Sequence, residues 1–89
     1  MKIKNGFILR KIADQYMAVP VGIRTRELHG MIAMNETAAF LWERMSEECT
    51  EDDLSQALLD TYEIDAEKSK EVVQHFIEML KKEGVLEDA

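Results

Sequence analysis

The chain has one cysteine, one proline and four glycines, so few of its residues cross-link, break or loosen a backbone. Cys49 alone cannot form an internal disulfide, which agrees with a reducing compartment. Long apolar runs are missing as well: the longest, residues 38–42, is far short of the ~18 residues that span a bilayer. No apolar stretch with a small-residue cleavage site follows Met1-Lys2-Ile3-Lys4, so no secretory signal is readable. The expected location is the cytoplasm, with no membrane partner. Length is also scarce. The 89 residues leave room for one domain, residues 1–89. A chain of this size buries only ~60% of its unfolded surface, so a large enclosed active site is not expected.

Convergent chemistry is lacking too. His29 and His75 fall in different elements, with no Cys-x-x-Cys and no His-Glu-x-x-His around either. Cys49 lies between Glu47-Glu48 and Glu51, whose carboxylates disfavour a thiolate. The acidic pairs Glu47-Glu48 and Asp52-Asp53 suit the start of a helix better than an acid/base dyad, and there is no glycine-rich phosphate loop. No catalytic residue, no metal ligand and no cofactor are expected; the chain does not read as an enzyme.

Bases are in deficit, 11 against 18 acids for a net charge of −7. The deficit is uneven. Residues 1–34 hold six bases and two acids, whereas residues 35–89 hold five bases and sixteen acids. Nucleic acid is held mainly by Lys and Arg on the docking element, so the acidic part of the chain is a poor groove reader.

The basic part has the pattern of strands. Phe7-Ile8-Leu9-Arg10-Lys11-Ile12 alternates imperfectly with period two and is rich in β-formers. Ala13-Asp14-Gln15 then suits a short turn, and Tyr16-Met17-Ala18-Val19 a second strand that ends at Pro20 or lies on an edge. Residues 22–30, bracketed by glycines and carrying Arg24, Arg26, Glu27 and His29, predict a mobile connection to a third strand, Met31-Ile32-Ala33-Met34.

Helical periodicity takes over from Asn35. That residue is a good N-cap, and Ala38, Leu41, Trp42 and Met45 repeat at i, i+3, i+4, i+7, which predicts a helix over about residues 36–46. Thr50 and Asp53 resemble a capping box before a second helix that ends near Tyr62. Asp65 caps a third, longer helix centred on Val73, Phe76 and Leu80, with Lys81 and Lys82 in its last turn and Gly84 to stop it. The result is an α+β fold of a three-stranded antiparallel sheet followed by three helices.

Two surpluses stand out. Phe40 lies opposite the Leu41/Trp42/Met45 stripe, so helix one is apolar on two sides and is expected between the sheet and another helix. Helix three carries Val72 and Met79 on one flank and Ile77 on the other, a wider stripe than one core face needs. If the third strand is an edge beside helix three, the pair would form a cleft the size of a peptide, since unpaired N–H and C=O groups accept an added strand.

Several blocks resemble the small PqqD-like proteins: Met34-Asn35-Glu36-Thr37-Ala38-Ala39-Phe40-Leu41-Trp42-Glu43, Thr50-Glu51-Asp52-Asp53-Leu54, Tyr62-Glu63-Ile64-Asp65, and Lys82-Glu83-Gly84-Val85-Leu86. The likeness extends to Gly6-Phe7-Ile8-Leu9-Arg10-Lys11-Ile12 and Val19-Pro20-Val21-Gly22. Many members have an Asp-Gly or similar turn where this chain has Ser46-Glu47-Glu48-Cys49. The resemblance implies a winged helix-turn-helix-like domain that acts, without catalysis, as a peptide chaperone in the biosynthesis of ribosomally made, modified peptides. Its implied partners are the leader segment of a precursor peptide and a modifying enzyme, often a radical S-adenosylmethionine enzyme. The implied site is strand addition beside Met31, Ile32, Ala33 and Met34, against a wall drawn from Val72, Val73, Phe76, Ile77, Met79 and Leu80.

Two other classes are open to a chain of this pattern. A DNA-binding winged helix is disfavoured because helix three sets Glu67, Glu71, Glu78 and Glu83 against Lys68, Lys70, Lys81 and Lys82. Pairing of an exposed edge with its own copy would instead give a homodimeric scaffold.

Overall fold

Residues 1–21 and 31–87 are described in the computed structural model of the chain, and they form an α+β fold of three antiparallel strands followed by three helices. β1 (Phe7–Ile12) and β2 (Gln15–Pro20) make a hairpin, and β3 (Ile32–Met34) pairs with the other side of β2. The order β1-β2-β3 makes β2 central and β3 an edge. Pro20 is tolerated in the central strand because it is the last residue there: it faces Phe7, while β3 pairs only with Tyr16, Met17 and Ala18. The connection expected over residues 22–30, with His29, lies outside the described residues.

Residues directly opposite in adjacent strands share a face of the sheet. The register therefore puts Leu9, Ala18 and Ile32 on one face, and Ile8, Met17, Val19 and Ala33 on the other. The helices cover only the first face. Ala18 is fully buried and Ile32 and Met34 nearly so, whereas Ile8 and Ile12 are exposed.

Each helix starts where a side chain satisfies a free backbone N–H. For α1 (Glu36–Arg44), Asn35 Oδ1 accepts from the Ala38 N–H at 2.8 Å. For α2 (Glu51–Thr61) the capping box is complete: the Asp53 N–H donates to Thr50 Oγ1 at 3.1 Å and the Thr50 N–H to Asp53 Oδ2 at 2.9 Å. For α3 (Ala66–Glu83), Asp65 Oδ1 accepts from the Lys68 N–H at 2.7 Å. Gly84, at φ 71°, ends α3, and the N–H groups of Gly84 and Val85 donate back to Lys81 O and Leu80 O, each at 3.2 Å. This closure folds Val85 onto Leu80 in the core, where both are fully buried.

The two-sided character of α1 is used as expected. Trp42 meets the Phe7 ring edge-on at 5.6 Å, and Phe40 meets Tyr62 at 5.5 Å beneath the Arg44 guanidinium. Leu41 and Met45 between them are fully buried. The N-terminal segment has a role that periodicity did not announce. Ile3 bridges Leu86, the Ile3 N–H donates to Met45 O at 3.0 Å, and the Lys4 N–H donates to Val85 O at 2.9 Å. Among the described residues no helix is long and apolar enough to cross a membrane.

Candidate functional site

Every third or fourth residue along one flank of α3, namely Lys68, Val72, Phe76 and Met79, falls on a single stripe, and that stripe faces the start of α1. Between them lies an open cleft of about 410 Å³. Ala38, Leu41, Val72, Phe76 and Met79 supply its apolar lining, while Asn35, Thr37, Lys68, Glu71 and His75 supply the polar groups. Asn35 directly follows the last residue of β3, so the cleft opens at the end of the edge strand. The Asn35 side-chain oxygen is engaged by the Ala38 N–H, which holds the first turn of α1 against the cleft.

The residues expected at the site divide into three groups. Val72, Phe76 and Met79 line the cleft together. Val73, Ile77 and Leu80 are buried, and Val73 lines a smaller hollow of about 150 Å³ with Ser55 of α2 and Lys70. Ile32 and Met34 turn their side chains into the core, leaving Met31 and Ala33 exposed along β3. The open flank of α3 is thus the Val72/Met79 flank, and Ile77 belongs to the core. The wall opposite α3 in the cleft is the first part of α1; none of the four β3-segment residues lines it.

Sequence reasoning did not place Thr37, Ala38, Leu41, Lys68, Glu71 or His75 at a site. The α3 members were reachable by stepping three and four residues from Phe76. The α1 members were not, because helix one's approach to helix three is a tertiary fact.

Cys49 is buried, and its thiol is pushed up from the ordinary range mainly by that burial, with Asp53 and Glu48 adding to the rise and the N-terminal ammonium opposing it. Its Sγ lies 3.5 Å from Met1 O, so the thiol is held neutral as a donor to a carbonyl. Among the described residues no group of three or more His, Cys, Asp or Glu is placed to hold a metal ion. The arrangement in the cleft is suited to binding: an apolar floor with charges of both signs beside it.

The sequence model of coenzyme PQQ synthesis protein D (PqqD) matches residues 26–86. No curated protein matches the chain. Among solved structures, TbiB1 in complex with the TbiA(beta) leader peptide is similar at 17% identity and a TM-score of 0.74, over 100% of this chain and 98% of that one. Lasso peptide synthetase B1 complexed with the leader peptide is similar at 17% identity and a TM-score of 0.72, over 94% of this chain and 93% of that one. At these identities the likeness establishes a shared fold.

Proposed function

The chain belongs to the PqqD family, and from that membership we propose that it is a non-catalytic adaptor that binds the leader segment of a ribosomally made precursor peptide and presents it to a modifying enzyme. The observation that carries the reading is the cleft of about 410 Å³ at the end of β3, whose outer edge pairs with no other strand among the described residues. A peptide added alongside Met31, Ile32, Ala33 and Met34 satisfies its backbone on β3 and meets Asn35 at the mouth of the cleft. An apolar peptide side chain then finds Val72, Phe76 and Met79, with Leu41 behind them. Both solved neighbours carry a leader peptide, which supports the same reading. A radical S-adenosylmethionine enzyme is the proposed recipient, and the cytoplasm the proposed location.

The test is a titration of isotope-labelled protein with the leader half of a short precursor peptide encoded beside its gene, followed by backbone amide shifts. Saturable shifts are expected over residues 31–38 and along the 68–79 stripe. Met79 is only half-buried, so Met79→Asp should preserve the fold while weakening the peptide by about tenfold or more, the effect of losing an anchor contact. Wild-type affinity in a folded Met79→Asp variant removes the cleft from the site. Unmoved amides throughout at saturating peptide remove the adaptor reading.

A further inference from the structure

β1 is the second edge of the sheet, at six residues against the three of β3. Which of its backbone groups face outward follows from the ladder, because hydrogen-bonded and non-bonded pairs alternate along an antiparallel pair of strands. The Val21 N–H donates to Gly6 O at 2.8 Å, which makes Gly6 and Val21 a bonded pair. The alternation then makes Phe7–Pro20, Leu9–Ala18 and Lys11–Tyr16 the non-bonded pairs. Pro20 agrees, since it has no N–H to give to Phe7. Phe7, Leu9 and Lys11 therefore turn their N–H and C=O groups away from β2, and no other described residue bonds to them. The strand is exposed at Ile8, Arg10, Lys11 and Ile12. Beside its start, on the face toward the helices, lies a hollow of about 140 Å³ to which Ile3, Phe7 and Trp42 supply the apolar lining and Lys4 the charge.

Charge selects what this edge accepts. The charged residues of β1 and of the hollow are all basic: Lys4, Arg10 and Lys11. Arg10 stands on the outer face and Lys11 on the inner one, where its ammonium lies 5.7 Å from the Tyr16 ring centroid and keeps N–H donors for a carboxylate. A strand laid against β1 alternates its own side chains between the two faces, so it meets both bases. Charges of one sign on an edge deter strands of the same sign, and opposite charges across a ladder stabilise it. A second copy aligned antiparallel about Leu9 would put the two Arg10 side chains on diagonal positions, and one aligned about Arg10 or Lys11 would put identical bases directly opposite. We infer that β1 is a second strand-addition edge and that it takes an extended acidic peptide, antiparallel, with carboxylates opposite Arg10 and Lys11 and an apolar side chain beyond Phe7 in the hollow against Trp42. β2 separates the two edges, so β1 and the β3 site can be filled together. The inference stands apart from the adaptor reading, which concerns the other edge.

The experiment titrates the isotope-labelled full chain with the capped peptide Thr-Glu-Glu-Val-Thr-Val-Thr-Leu and follows amide and indole shifts. Its antiparallel register on β1 puts the two Glu opposite Lys11 and Arg10, the first Val opposite Leu9, and Leu beyond Phe7 toward the hollow. Saturable shifts are expected at the amides of Phe7, Leu9 and Lys11 and at the Trp42 indole, with residues 31–38 unmoved. The same peptide with Lys for both Glu should bind about fivefold more weakly or worse, and added salt should narrow that gap. N-methylation of the Val opposite Leu9 removes a ladder donor and should abolish binding while leaving every charge in place. Arg10→Glu, at an exposed position, should bring the two peptides to within about twofold of each other. Unmoved β1 amides at about 1 mM peptide overturn the inference. So do equal affinities for the Glu and Lys peptides, full affinity after N-methylation, or shifts at residues 31–38 in place of β1. A dimer in sedimentation with the β1 amides protected from exchange gives the edge to a second copy and overturns it as well.

Discussion

Ala13 and Gly84 both occupy the left-handed side of backbone space, at φ 55° and 71°, and only one of them is suited to it. At Ala13 the hairpin crosses from Ile12 to Gln15 in two residues, and a positive φ at the first of these gives the twist that the strands require. The Cβ there costs ~1–2 kcal/mol, part of which a glycine would return to chain entropy on unfolding. Ala13→Gly is therefore expected to stabilise by ~0.5–1 kcal/mol, read as a higher urea midpoint at unchanged slope. Gly84→Ala is expected to lose ~1 kcal/mol in the same experiment, and through the backbone alone, since an added Cβ meets nothing within 4 Å. A destabilised Ala13→Gly variant would show that the turn does not hold its positive φ in solution. The stop at Gly84 was legible from the sequence, as a glycine after two lysines. The strain at Ala13 was not, because nothing local distinguishes this Ala-Asp turn from a relaxed one.

Between elements, the contact of α2 with α3 depends on two serines that the apolar pattern passes over. Ser69 is fully buried and Ser55 nearly so. The Ser69 hydroxyl donates to Ser55 O at 2.8 Å, and the two side-chain oxygens are 2.7 Å apart. A hydroxyl has one proton, so with Ser69's spent on the carbonyl, Ser55 is the donor between the oxygens. Ser69→Ala removes both bonds and is expected to cost ~1–3 kcal/mol, because a polar group is left unsatisfied. The Ser55→Ala/Ser69→Ala double variant should cost less than the sum of the singles, since the second change deletes the orphaned hydroxyl. Denaturant melts of the three variants check this, and strict additivity would mean that the hydroxyls act independently. Buried small residues let helices approach closely, but a serine in a helical stripe reads equally well as surface. Its partner fourteen residues away is visible only once α2 and α3 are packed.

Across the whole molecule, residues 1–4 join the hairpin end of the chain to the helical end. Ile3, 6% exposed, belongs to the core; its own N–H donates to Met45 O and that of Lys4 to Val85 O. Ile3→Ala should therefore cost ~2–4 kcal/mol, a core value in a segment that has no element of its own. A loss below ~1 kcal/mol in thermal or urea unfolding would show the segment to be dispensable. With this bridge closed, the molecule has two differently lined surfaces: the α1/α3 cleft beside the β3 edge, and the outer face of the sheet.

The sequence by itself determined what is local. Alternation marked β1 and the hairpin, 3.6-residue periodicity with Asn35, Thr50 and Asp65 as caps marked the three helices, and the separation of bases from acids set the charge of each end. The PqqD-like blocks point to a peptide site near the third strand and the last helix. Only the tertiary structure decided that β3 is an edge, that the Val72/Met79 flank of α3 is the open one while Ile77 is core, and that Thr37, Ala38 and Leu41 form the facing wall. It alone paired Ile3 with Leu86 and left Ile8 and Ile12 uncovered. The physical reason is range. Caps and periodicity are settled within a few residues by hydrogen bonding and side-chain spacing. Which flank is buried depends on which distant element reaches it first and covers most apolar area, and no local window holds that comparison.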